Sequence, residues 1–252
     1  MALHLTTFKS IEDNGNNYCD TENDIWYYYR FIFEDSTEKK FLVRLDNETL
    51  SIVNGIHRYY PSWALLTNNK CFNCPLSEEQ HEHCPVAVNL IDVVESFKNH
   101  SSIEEVCVEI ETSNRLYQNY TSLQNGLSSL VGIYMSTSGC PILDKFRPLV
   151  KTHLPFAGLE ETTYRTVSTY LLAQYFLMKN GKTPDWELKY MASFFDKVRV
   201  VNKCFKKRLD QLRMDDALLN AIVCLDIYVR FTSSLVVEDE LVDFKNLFLS
   251  YF

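Results

Sequence analysis

The chain has 252 residues, 46% of them hydrophobic, and a formal net charge of -8 at pH 7. That length and apolar content suit one large domain or two small ones with true cores, and the acidic balance argues against general nucleic-acid binding, which needs an excess of Lys and Arg on some face. The segment Met1-Ala2-Leu3-His4-Leu5 has no basic region leading into an apolar run. The longest apolar stretch, about 217–229, is broken by Asn220 and Asp226 and falls short of the roughly 20 residues of a membrane span. The expectation is a cytoplasmic globular protein without a membrane span, whose eight cysteines stay reduced and so point to metal or thiol chemistry rather than a disulfide framework.

In chain order, residues 1–22, with Asn14-Gly15-Asn16-Asn17 and no apolar period, read as a loosely ordered arm. Trp26 to Glu34 alternates, with Tyr27, Tyr29, Phe31 and Phe33 on one face; a polar turn at 35–38 and the return Phe41 to Leu45 complete a β-hairpin. Helical spacing follows at Val86, Leu90, Ile91, Val94 and Phe97. A second hairpin pairs 106–110 with 115–120 through Ser113-Asn114, and a capping-box pattern over 121–124 opens a helix on Leu123, Leu127, Leu130, Val131 and Tyr134. The order β-β-α-β-β-α predicts an α+β unit at 23–138, a mainly antiparallel sheet with helices on one face, followed by a helical bundle at 139–252.

In the bundle, a helix from Leu159 to Met178 carries a stripe of Val167, Leu171, Tyr175 and Met178, stops at Asn180-Gly181, and the chain restarts at Thr183-Pro184. The next helix, 185–212, holds Met191, Phe194, Val198, Val201, Phe205 and Leu209 on its apolar stripe. Its basic residues lie mostly outside that stripe: residues 186–213 carry a net charge of about +5, a solvated face or the docking face for an anionic partner. A helix at 215–233, apolar nearly all round and with Asp226 and Arg230 spaced to pair, is expected at the bundle centre, and a last helix at 238–251.

Three of the eight cysteines precede proline, at Cys74-Pro75, Cys84-Pro85 and Cys140-Pro141, where chance gives about 0.2 such pairs. Cys71-Phe72-Asn73-Cys74 has the spacing by which one ion collects two thiolates from a turn. Proline at the first position of a helix makes the preceding cysteine its N-cap, which places Cys84 and Cys140 over positive helix ends that favour thiolate. Gly139 is suited to reversing the chain just before Cys140. Cys71, Cys74, Cys84 and Cys140 thus make up the four ligands of a tetrahedral zinc site, with His83 or His153 as a substitute fourth ligand. The alternatives are an iron-sulfur cluster, since Cys-Pro ligands also occur in ferredoxin-type runs, or no metal at all, with the thiols as a redox pair or as buried hydrophobes. Cys19, Cys204 and Cys224 lack partner spacing and read as arm and packing residues. Phosphate-loop, dinucleotide, nucleophile-elbow and zincin motifs are absent from the sequence.

The stretches Tyr29-Arg30-Phe31-Ile32-Phe33, Cys71-Phe72-Asn73-Cys74-Pro75-Leu76, His83-Cys84-Pro85, Ser138-Gly139-Cys140-Pro141 and His153-Leu154-Pro155-Phe156 resemble those of an uncharacterised bacterial domain-of-unknown-function family. The resemblance spans about residues 25–180, leaves the later helices unmatched, and implies only that these cysteines and His153 form one motif set. The expectation for the whole chain is a cytoplasmic zinc-binding interaction or regulatory module, the competing expectation an iron-sulfur or thiol redox protein on the same cysteines.

Overall fold

Alternating aromatic and β-branched residues commit the start of the fold to strands, because their side chains divide cleanly between the two faces of a pleated sheet. In the computed structural model, which describes residues 25–53 and 59–252, β1 (Ile25–Phe33) and β2 (Glu38–Leu45) form the first hairpin and β3 (Glu105–Glu111) and β4 (Leu116–Ser122) the second. The arm expected over 1–22, with Cys19, lies outside the described residues. The strands order as β2-β1-β3-β4, every pairing antiparallel. Tyr29 stands between Phe41 and Ile110, and Phe31 opposite Val108. Tyr27, Tyr29, Phe31, Val43, Val108 and Ile110 are all buried on one face; the other face carries the Arg30 to Glu109 ion pair. The expected α+β class is the one found.

Helices cover the buried face. The predicted helix over 85–98 is two pieces, α1 (Pro85–Asn89) and α2 (Ile91–Phe97), joined at Leu90 with φ -106° and ψ 5°. The Asn89 side chain donates to the carbonyl of Pro85 at 2.7 Å, the local competition that makes Asn a poor interior helix residue. Phe97 of α2 then packs its ring 5.1 Å from Phe31 and 5.6 Å from Phe41, centre to centre.

The long helix α3 (Leu123–Thr137) leaves β4 without a side-chain cap. The predicted capping box does not form; the N–H groups of Leu123 and Gln124 donate instead to the carbonyls of Glu104 and Ser102, at 2.7 and 3.1 Å. Tertiary carbonyls have taken the role of the box. The far end of α3 closes through Ser138 onto Gly139 at φ 86°, the left-handed position that glycine fills without strain.

After Cys140 the chain makes a 3-10 turn at Leu143–Phe146, with Ile142 at its N-cap, and a short α4 (Arg147–Val150), where a helix from Pro141 to Phe146 with Cys140 as its N-cap was predicted. The helices α5 (Leu159–Lys179), α6 (Lys189–Asp210) and α7 (Ala217–Val237) follow, then α8 (Val242–Lys245) and a 3-10 segment at Asn246–Tyr251 in place of one final helix. Gly181, at φ 71°, ends α5 as expected. The expected restart at Pro184 is displaced to Lys189: Asp185 accepts the N–H groups of Lys189 and Tyr190, at 3.0 and 2.8 Å, and the Tyr170 hydroxyl at 2.8 Å, so a carboxylate rather than a proline starts α6.

The stripe expected to bury α5 is also displaced. Tyr175 and Met178 are each 43% exposed, while Thr163, Thr166 and Gln174 are buried. The Thr163 and Thr232 hydroxyls share a hydrogen bond of 2.9 Å, and the Gln174 side-chain oxygen accepts the Asp185 N–H at 2.9 Å. Satisfied polar groups hold this face to α7 without a desolvation penalty. The helix α7 is long and apolar enough, by length and composition, to cross a membrane; here it packs on α3, α5 and α6, and Arg230 pairs with Asp226 at 2.6 Å. One buried cluster runs from the sheet through α3 into α6 and α7.

Gly126 marks the tightest approach of α3 to the sheet: a Cβ there would lie 2.7 Å from Val108 Cγ2 and 3.1 Å from Phe31 Cε1. At Gly132 the nearest neighbour would be Leu225 Cδ2 at 3.4 Å. Gly126→Ala is therefore expected to lower stability by about 1–3 kcal/mol, and Gly132→Ala to leave it unchanged or raise it by up to about 1 kcal/mol through helix propensity. Urea titration of both variants checks the contrast, which vanishes if α3 does not sit against Val108.

Candidate functional site

The Cys71 to Cys74 segment folds as a tight turn: the Cys74 N–H donates to the Cys71 carbonyl at 2.9 Å. Cys84 is the N-cap of α1 with Pro85 at the first position, as read from the sequence. A short backbone pairing fixes where it stands. Leu65 bridges His83, the Cys84 N–H donates to the Ala64 carbonyl at 2.8 Å, and the Leu66 N–H donates to the Glu82 carbonyl at 2.8 Å. Cys140 reaches the same region from the end of α3, with its carbonyl accepting the Asp144 N–H at 2.9 Å.

Cys71, Cys74, Cys84 and Cys140 all line one cavity of about 20 Å³, closed by Leu66, Val201, Phe205 and Arg208. That volume holds about one water-sized sphere. Three separated chain segments therefore bring four cysteines to the lining of one small cavity. Among the described residues no three His, Cys, Asp or Glu side chains already stand at coordination geometry.

The electrostatics depart from the sequence expectation. Helix ends were expected to favour thiolate, but burial pushes both the Cys71 and the Cys140 thiols up, and neighbouring sulfurs push them further. At Cys140 the backbone N–H groups of Leu143 and Ile142 act in the opposite direction, so the expected polarity is present but outweighed. Desolvation wins because the surrounding wall is apolar and the turns are too short to supply a full helix dipole.

Two residues of α6 belong to this site and were not read from the sequence. Cys204, taken as a packing residue, stands near enough to Cys71 to help push its thiol pKa up. Arg208, taken as part of the basic outer face, is 2% exposed and donates from one Nη to the carbonyls of Trp63 and Leu65, at 2.5 and 2.6 Å. Burial lowers its pKa, and the sulfurs of Cys84, Cys71, Cys204 and Cys74 raise it again. The available signal was helical spacing: Val201, Cys204, Phe205 and Arg208 fall on one face of α6.

The two histidines are engaged elsewhere. The His83 ring stacks on Tyr60 with centroids 4.7 Å apart, and its Nδ1 lies 3.8 Å from the Glu82 carboxylate. His153 faces a different and larger cavity. Its Nε2 is 2.7 Å from the Tyr29 hydroxyl and 3.1 Å from that of Ser129, which are 3.0 Å from each other. Cys107 sits on β3 with the Gln118 side-chain amide 3.4 Å from its sulfur, and Cys224 on α7 beside Asn125, as packing residues.

Burial, with Arg165 adding to it, drives the His153 pKa down to about 3, so the ring is neutral in the fold. The folded pKa lies below the unfolded one. The stability contributed by the neutral ring is therefore complete above about pH 6.5 and is lost as pH falls toward 3, at up to ~1.4 kcal/mol per unit for one proton. In His153→Gln the urea midpoint should vary less between about pH 6.5 and 4 than in the parent; an unchanged slope would assign acid sensitivity to other groups.

No curated protein and no solved structure matches the chain. A family model does, over residues 27–249, and so extends through the helices that the motif resemblance left unmatched. By that match the chain belongs to the family described as Domain of unknown function (DUF6901).

Proposed function

We propose that Cys71, Cys74, Cys84 and Cys140 bind one zinc ion, which staples the hairpin unit to the helices of a cytoplasmic interaction or regulatory protein. The supporting observation is that all four cysteines line one cavity of about 20 Å³. Bringing them to zinc-sulfur distances near 2.3 Å requires the site to rearrange, since among the described residues no group of three His, Cys, Asp or Glu side chains stands where it could hold a metal ion. Charge favours the reading. Four thiolates and Zn²⁺ sum to -2, against which the buried Arg208 guanidinium is a counter-ion; four neutral thiols would leave that guanidinium facing an uncharged wall.

An atom-sized cavity suits one ion better than an iron-sulfur cluster. The nearness of Cys204 to Cys71, felt in the raised Cys71 pKa, favours the second reading, a thiol redox pair. The solvent side of α6, where Lys203 and Lys207 are exposed, is the surface proposed for an anionic partner.

Metal analysis after anaerobic purification tests this directly. Zinc near one equivalent per chain is expected; iron with visible colour would establish the cluster, and neither metal would leave the thiol pair. Cys71→Ser and Cys140→Ser should each abolish zinc retention and lower Tm by roughly 10 °C, the shift for a loss of several kcal/mol in a chain of this size. Cys204→Ser should keep the zinc. If Cys140→Ser retained metal and Tm, the staple between the two halves would be wrong.

The pH dependence separates metal-free from metal-loaded protein by its sign. Cys71 and Cys140, with pKa values raised by burial, support the metal-free fold while protonated. That support is full below the usual thiol pKa near 8.5 and is lost as pH rises through and above it. Bound zinc requires thiolate, so the loaded form loses metal on acidification. Chelator-treated protein should therefore lose Tm between about pH 8 and 10 while loaded protein holds it, and loaded protein should release zinc toward about pH 5.

A further inference from the structure

The larger cavity, about 360 Å³, lies between the C-terminal half of α3, the turn after α4, and the facing sides of α5, α6 and α7. Its size is that of a small-molecule site. Its walls are mainly apolar, with Phe146, Phe156, Phe195, Leu225 and Val229 among them. This accounts for the composition of α7: Leu225, Tyr228, Val229 and Thr232, on the part of its surface that α3 and α6 leave uncovered, line this space.

The polar lining is largely committed. Ser136 and Thr166 donate to carbonyls of their own helices, Ser128 to Asn125, and Asn202 to Asp226. His153 is held by Tyr29 and Ser129.

Arg165 differs from all of these. Among the described residues it is the sole Lys, Arg, Asp or Glu that lines the cavity. One Nη is fixed by the carbonyls of Leu149 and Thr152, at 2.9 and 2.7 Å, which aims the guanidinium without neutralising it. Among the described residues its remaining N–H groups have no partner. Glu161, one turn earlier on α5, directs its carboxylate to the Gly158 N–H at 2.9 Å, where it caps the helix. A half-buried positive charge, within the field of Glu161 but making no ion pair with it, therefore lines a mainly apolar chamber, and a guanidinium fork is built to take a carboxylate.

We propose that this cavity binds a small carboxylic acid with an apolar tail, the carboxylate on Arg165 and the tail between α3 and α7, toward Leu225 and Val229. The proposal does not depend on zinc, and its test is run on the full chain as purified. The probe is octanoate, titrated by calorimetry beside octanol, octylamine and octyl phosphate.

Octanoate should bind, with octanol at least about tenfold weaker, because the charge-assisted pair is lost, and octylamine should not bind. Arg165→Gln should bring octanoate down to the level of octanol. Leu225→Trp, which fills the chamber from α7, should abolish binding of both. No octanoate binding, or equal affinity for octanoate and octanol, would overturn the proposal on the parent protein alone, whatever the variants do. Octyl phosphate binding more tightly than octanoate would overturn the carboxylate assignment, and undiminished binding in a folded Leu225→Trp would place the acid outside the chamber.

Discussion

Arg208 is a guanidinium almost wholly withdrawn from water, on a helix whose other basic residues face solvent, and no carboxylate pairs with it among the described residues. Removing such a charge from water costs several kcal/mol unless hydrogen bonds and an opposite charge offset it. The carbonyls of Trp63 and Leu65 supply the hydrogen bonds. In doing so they fix the irregular segment before the cysteine turn to the last turn of α6, a segment with few regular hydrogen bonds of its own. The Leu65 to His83 bridge then sets Cys84, and the Asn73 side-chain amide reaches the Lys197 carbonyl at 3.0 Å, setting the Cys71 to Cys74 turn against the same helix. The cysteine site is thus assembled around a buried cation, and the groups able to supply the opposite charge are the sulfurs.

This makes the raised thiol pKa values a property of the metal-free protein rather than an argument against ligation. Burial opposes isolated thiolates, but a divalent ion reverses that preference by giving each thiolate a nearer positive charge. Arg208 alone raises no thiolate population at Cys71 or Cys140 sufficient to outweigh desolvation, since both thiols remain pushed up beside it. The demand for negative charge and the desolvation of the thiols conflict in the metal-free protein, and the proposed zinc ion would relieve both.

The sheet was legible because its signal is local. Alternation at Tyr27, Tyr29, Phe31 and Phe33 has a single structural solution, and it is the one observed. Cys84 as an N-cap was legible for the same reason, proline at the first helical position being a local rule. The capping box at 121–124 failed because the helix emerges directly from β4 and finds carbonyls of a sequence-remote turn already in place. The α5 stripe failed because hydrogen-bonded Thr163, Thr166 and Gln174 can be buried as readily as apolar residues, which a hydrophobic period does not register. Arg208, Cys204 and the Arg165 chamber are tertiary facts: each depends on which face of a helix meets which loop, and a cation inside an amphipathic helix reads from sequence as one more surface charge.

The two cavities are lined by neighbouring residues of the same elements. Val201 and Phe205 close the cysteine cavity while Phe195, Val198 and Asn202 of the same helix line the larger one; Ile142 borders the first and Leu143 the second. An ion joining Cys140, at the end of α3, to the Cys71 turn held against α6 would fix the separation of α3 and α6, and those helices form opposite sides of the larger cavity. Close-packed interiors transmit such a constraint rather than absorb it. If both ligands bind as proposed, a change in α3 to α6 spacing that favours one alters the affinity for the other, and by thermodynamic reciprocity the acid must change the zinc affinity by the same factor. In that arrangement the staple is more than a stabiliser, because it sets the shape of the chamber in which Arg165 is the recognising charge.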